Sequence, residues 1–138
     1  MTGLLLDTHI WIWYAEGITG KLKPKTAALI EQSLRDYRLH VSAVSVWEIG
    51  LLIAKDRIVL SAPVRDWIQA ATALPGLRLL PLGADAALES TMLPGDPHGD
   101  PADRLLIAET RVAGLTLVTA DSKILDYGKA GHVRVLAA

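Results

Sequence analysis

The sequence predicts an α/β fold with a mainly parallel central sheet flanked by helices on both faces. Three observations carry that expectation. Short apolar runs alternate with helical patterns along the chain, the runs lack the hydrophobic-polar alternation of a half-exposed strand, and Gly- or Pro-containing turns separate them. With 138 residues, 51 % of them hydrophobic, the chain is long enough for one domain with its own core. The expected organisation is a single domain over residues 1–138.

In chain order, Leu4-Leu5-Leu6 is an apolar run closed by Asp7, the pattern of a central parallel strand with an acid at its C-terminal end. Residues 8–16 follow as a short helix, then a loop through Gly17 and Gly20. Pro24, among Lys21, Lys23 and Lys25, starts the next helix, in which Ala27, Ile30 and Leu34 recur at helical spacing. Residues 39–42 form a second strand. Residues 45–55 read as a nearly all-apolar helix with one acid, Glu48, and a helix apolar on all sides is expected to be buried. Pro63 opens a helix carrying Trp67, Ile68 and Ala71, and Pro75-Gly76 ends it. Residues 77–82 form a strand compromised by Pro81, residues 85–93 a helix and residues 94–99 a loop. Asp100 is the expected N-cap of the next helix, with Pro101 its first residue, Asp103 its third and Gly114 its stop. Residues 115–119 are a β-rich run closed by Ala120-Asp121, followed by a short helix from Ser122 and an edge strand near residues 133–136.

Composition narrows the chemistry. The net charge of −1 gives no general attraction to a polyanion, so nucleic acid would have to be held by local basic groups or metal ions. A mean hydropathy of +0.31 is slightly rich for a soluble domain and points to surface that a partner or second subunit covers. No apolar run reaches the roughly 18 residues needed to span a bilayer, and no basic stretch precedes a signal-like core, so the expected protein is soluble and cytoplasmic, with no membrane contact. The absence of Cys excludes disulfides and thiolate metal sites and leaves Asp, Glu and His as side-chain ligands.

Four places concentrate acids. Asp7 and Asp121 each close an apolar strand, and the strand C-termini of an open α/β sheet frame its ligand crevice. Each also fits a helix N-cap, Asp7 ahead of Thr8 and Asp121 ahead of Ser122. Asp100 and Asp103 share one helix mouth, where a cap and a charge complementing the helix dipole account for them as well. Glu48 either completes a Ser45-x-x-Glu48 capping box or lies inside a helix that begins earlier, where Val46, Trp47, Ile49 and Leu52 would leave it in need of a cation or donor. Gathered in one cleft, such carboxylates repel and require protons or cations. Magnesium or manganese is the simplest answer, an ion able to bridge phosphate oxygens and support attack on a phosphodiester. No phosphate-loop or dinucleotide glycine fingerprint competes with it.

Four segments in order, Leu-Leu-Asp-Thr-His (5–9), Val-Ser-Val-Trp-Glu-Ile (44–49), His-Gly-Asp-Pro-Ala-Asp-Arg-Leu-Leu-Ile-Ala (98–108) and Leu-Val-Thr-Ala-Asp (117–121), resemble the PIN-domain nucleases. The likeness is greatest to the VapC-type toxins of bacterial toxin-antitoxin pairs. It implies a three-layer PIN-like fold and an endoribonuclease dependent on Mg2+, with Mn2+ as a substitute. Asp7, Glu48, Asp103 and Asp121 would form its catalytic quartet, Asp7 and Asp103 being the principal metal ligands. Asp100 and Thr119 match supporting positions, and Arg104 one suited to a salt bridge or a phosphate contact. The resemblance further implies a homodimer and a cognate antitoxin that blocks the site. Glu109 stands where the family more often has a small or uncharged residue, a departure expected to bear on the helix surface. His9 and His98 are expected in hydrogen-bonding or packing roles, and the four Trp as core or interface anchors. Lys21, Lys23 and Lys25 suit either RNA backbone or a solvated loop. A phosphohydrolase of small substrates would favour Asp-x-Asp after the first strand, which Asp7-Thr8-His9 lacks; the other rival is a non-catalytic module whose acids are only caps.

Overall fold

The computed structural model describes residues 2–18, 20–97 and 99–138; His98 lies outside them. Its centre is β1 (Leu4–Leu6), every residue of which is buried. It pairs with β2 (Leu39–Ser42) on one side and β4 (Thr116–Thr119) on the other, while β3 (Leu77–Leu80) and β5 (Val135–Ala137) form the edges. All four pairings are parallel, so the sheet is more uniform than the mainly parallel one expected. The helices are α1 (Thr8–Ala15), α2 (Pro24–Arg35), α3 (Ala43–Ala54), α4 (Val64–Thr72), α5 (Ala84–Glu89), α6 (Pro101–Ala113) and α7 (Ser122–Lys129).

Side chains of an apolar strand alternate between the two faces of the sheet, and both faces here are covered. Leu5 and Leu117 join Leu106, Ile107 and Ile124 in one core, whereas Leu4, Leu6 and Val118 join Ile10, Trp11, Ile30 and Ile49 in the other. This double burial explains why Leu4-Leu5-Leu6 shows no polar alternation. The strand order β3-β2-β1-β4-β5 carries the chain outward from β1 to β3 and then back across to β4. The reversal leaves a crevice at the C-terminal ends of β1 and β4, the usual place for a ligand in such a sheet.

Several elements differ from expectation. β3 stops at Leu80, immediately before Pro81, which offers no N–H to a ladder. α5 ends at Glu89 rather than Leu93, where the Ser90 and Thr91 hydroxyls donate to the Ala87 and Leu88 carbonyls and compete with further helix. α3 begins at Ala43 with Ser42 as its N-cap, which excludes the Ser45-x-x-Glu48 capping box and puts Glu48 in the second turn. Nor is α3 buried all round, since Trp47 is 55 % and Leu51 36 % exposed. Its apolar sequence exceeds what one packed face can cover. Trp11 and Trp67 are core residues in tilted contact at 5.3 Å, as expected of anchors.

Gly76 adopts φ 92, and a Cβ there would fall 2.1 Å from the Leu34 carbonyl oxygen. The conformation and the contact both exclude a side chain. Gly76→Ala should therefore cost roughly 2 kcal/mol or more, read as a lowered midpoint in a thermal melt; an unchanged midpoint would contradict this packing.

Candidate metal centre

Asp7 leaves β1 at the crevice and is buried. Its Oδ1 accepts from the Thr8 amide at 2.8 Å, capping α1, and its Oδ2 accepts from the Thr119 hydroxyl at 2.7 Å. The Thr119 Oγ1 in turn accepts from the Asp121 amide at 3.0 Å, so one hydroxyl joins the acids that end two adjacent strands. Asp121 caps α7, its Oδ1 accepting from the Lys123 and Ile124 amides. Asp100 caps α6 through the Asp103 amide at 3.1 Å, as the sequence suggested. Glu48 Oε1 accepts from the Thr8 hydroxyl at 2.5 Å, and that hydroxyl lies 2.8 Å from Ser45 Oγ.

The electrostatics show that these acids share one neighbourhood. Burial is the main influence raising the Asp103 carboxyl to about 8, and Asp7, Asp100, Asp121 and Glu48 all push in the same direction. Asp7 is also raised, chiefly by burial and further by Asp121, although the Thr119 and Thr8 bonds and His9 oppose this. Glu48 is raised by burial, with Asp7 and Asp100 adding and Thr8 and His9 opposing. Five carboxylates thus converge electrostatically, with His9 opposing the shift at Asp7 and Glu48.

Among the described residues, no group of three His, Asp or Glu side chains forms a ready-made metal cage. Asp7 and Glu48 are turned to hydroxyl and amide donors instead. The donor set nevertheless fits a hard divalent cation, because it is made of carboxylate oxygens whose repulsion such an ion relieves.

Other expected residues are placed as follows. Arg104 donates from Nε to the Ser90 carbonyl at 3.1 Å, so its guanidinium is engaged at the end of α5. His9 is exposed and meets Trp13 at 6.3 Å, and Lys21 lies 5.4 Å over the same Trp13 ring.

Glu109 does not lie on the helix surface. It is 4 % exposed, and the Ser42 hydroxyl donates to its Oε1. Burial raises its carboxyl. Ser42 also accepts from the Val44 amide at 3.0 Å, so this bond ties α6, which carries Asp103, to the start of α3, which carries Glu48. Thr8 and Ser45 form a corresponding tie between α1 and α3, and neither tie was foreseen from the sequence. The helical spacing of Glu109 from the buried Ala102 and Leu106 could have revealed its inward face.

A family model described as PIN domain matches residues 4–130. Ribonuclease VapC22 of Mycobacterium tuberculosis is 30 % identical over 129 residues, covering 92 % of this chain and 93 % of that protein. Among solved structures, VapBC2 from Rickettsia felis bound to a promoter DNA fragment superposes with a TM-score of 0.71 at 13 % identity, covering 97 % of each chain. VapC20 of M. tuberculosis, a sarcin-ricin loop cleaving toxin, gives 0.58 at 21 % identity over 96 % of this chain and 98 % of that one. FitAcB from Neisseria gonorrhoeae gives 0.64 at 22 %, over 96 % of each chain. At these identities the structures speak for the fold.

Two outcomes follow from the charge balance. An unfolded Asp titrates near 4 and folded Asp103 at about 8, so between those values the folded state holds the extra proton. Raising the pH across that window withdraws stability. In a chelator, the melting midpoint should be higher at pH 5 than at pH 8, and Asp103→Asn should flatten the difference; a wild-type midpoint that rises with pH would refute the clustering. At the α3–α6 tie, Glu109→Gln keeps an acceptor for Ser42 and should be tolerated. Glu109→Ala strands a buried hydroxyl donor and leaves a void, with an expected cost of about 3 kcal/mol in denaturant unfolding.

Proposed function

The chain belongs to the PIN-domain family, and from that premise we propose that it is a metal-dependent endoribonuclease, the toxin of a toxin-antitoxin pair. The observation that carries the reading is the Asp7–Thr119–Asp121 linkage at the C-terminal ends of β1 and β4, with Glu48 and Asp103 in electrostatic contact with it. The likeness to a ribonuclease over nearly the whole chain supports RNA as the polymer.

Asp7 and Asp103 would be the principal ligands, and Glu48 and Asp121 would bind directly or through water. Mg2+ is the proposed ion and Mn2+ its substitute. Such a cation supplies charge that screens a phosphodiester and acidifies water.

The chain's own residues hold the acids in place for hydrolysis of the phosphodiester. Thr119 donates to one oxygen of Asp7 and so fixes its plane, while Thr8 orients Glu48 and locks α1 to α3. Asp100 anchors the mouth of α6 and thereby the position of Asp103. A partner protein that covers the crevice and a second copy of the chain belong to the same reading. Among the described residues, no helix is long and apolar enough to cross a membrane.

One observation favours a non-catalytic scaffold: Asp7, Asp100 and Asp121 all cap helices. Calorimetric titration with Mg2+ or Mn2+ separates the two, because caps alone bind no divalent ion. With metal present, the wild type should cleave RNA, chelation should abolish cleavage, and Asp7→Asn should lower it roughly a hundred-fold or more. Thr119→Val should lower it about 10- to 100-fold while leaving it chelator-sensitive. Equal cleavage by Asp7→Asn, or cleavage that survives chelation, defeats the proposal.

A further inference from the structure

Beside the acids a cleft of about 230 Å³ opens between α3 and the mouth of α6, lined by Trp47, Glu48, Lys55, Arg57 and Asp100 among others. Its composition is unusual for this chain. Trp47, 55 % exposed, is among the large hydrophobic side chains left in water, and it stands one residue from Glu48. Lys55 and Arg57 are exposed, and among the described residues neither side chain forms an ion pair or a hydrogen bond. The turn that ends α3 brings them there: Asp56 takes φ 54, and the Arg57 amide returns to the Leu52 carbonyl at 2.9 Å.

Resting on the ribonuclease reading above, we propose that this cleft is the subsite for the nucleotide next to the scissile phosphate. Trp47 would stack on an unpaired base, and Lys55 and Arg57 would hold the flanking backbone. The physical need is specific. A chain of net charge −1 with five clustered acids repels a phosphodiester, so approach requires cations at the rim of that cluster. An exposed indole adds a π-face on which any base stacks, which selects single-stranded RNA because a paired base is not available to it. An apolar groove of the molecule runs elsewhere, along Trp11, Trp67, Ala70 and Ala71. The cleft beside the acids is set apart from it by two free cations, which match a polyanion better than an apolar helix.

The test uses the Asp7→Asn protein in the presence of a chelator, conditions in which cleavage is not expected, and a fluorescein-labelled single-stranded RNA followed by anisotropy. All three residues are exposed, so their variants keep the fold, checked by thermal melts. Trp47→Ala should weaken binding about ten-fold, and Trp47→Phe, which retains a stacking face, should restore most of it. Lys55→Gln with Arg57→Gln should lower the slope of log affinity against log salt by about 1.4, roughly 0.7 for each phosphate left without its cation. In protein that keeps Asp7, the same changes should raise KM more than they lower kcat. Unchanged affinity and salt slope overturn the inference whether or not RNA is cleaved, as does a loss confined to binding of a purified partner protein. Cleavage that persists with unaltered binding sinks the subsite alone. Cleft-dependent binding without any cleavage sinks the reaction alone.

Discussion

Asp7 emerges from a strand buried on every side, and its carboxylate stays out of water because the Thr8 amide and the Thr119 hydroxyl meet its two oxygens. A buried charge met by fewer donors would take up a proton or unfold its surroundings. Those two bonds therefore constrain much else. The first requires α1 to start directly at the end of β1, and the second requires β4 beside β1 in parallel register, Leu6 opposite Val118. The pairing of β1 with β4 and the immediate start of α1 together supply both partners of that one side chain.

The rest of the acid cluster repeats this economy. Three carboxylates complete helix N-termini and at the same time act on Asp103, so local structure and longer-range repulsion involve the same groups. The helices gain from negative charge at their N-terminal ends, while the cluster loses from having several such ends meet. Cross-ties hold the arrangement against that repulsion, Thr8 with Ser45 on one side of α3 and Glu109 with Ser42 on the other. The first joins α1 to α3, and the second joins α6 to Ser42, the residue at which β2 passes into α3.

Local signals made much of this legible in the sequence. The central strand was evident from its unbroken apolar run, and Asp100, Pro101 and Gly114 bracketed α6 because caps, N1 proline and a left-handed stop are properties of a few adjacent residues. The crevice followed from two acids at two strand ends. What resisted reading was orientation. α3 is apolar around its circumference, so periodicity could not tell that Trp47 faces water while Ile49 is buried. Glu109 was misread as a surface residue because its charge outweighed its spacing, and its partner Ser42 lies 67 residues away. Pairings of that length are settled by packing, which a single sequence does not display.

The bond between Thr119 and Asp7 spans 112 residues, nearly the whole chain, and the strand that brings Thr119 to the crevice is the last but one to be made. During synthesis the N-terminal half can emerge and form its first helices while the central strand still lacks one of its two neighbours. Non-local closure of this kind comes late in folding. A nascent chain therefore carries Asp7 and Glu48 long before it carries a complete acid cluster. The cluster is complete only once β4 and the turn after it, which bring Thr119 and Asp121, have joined the sheet beside β1.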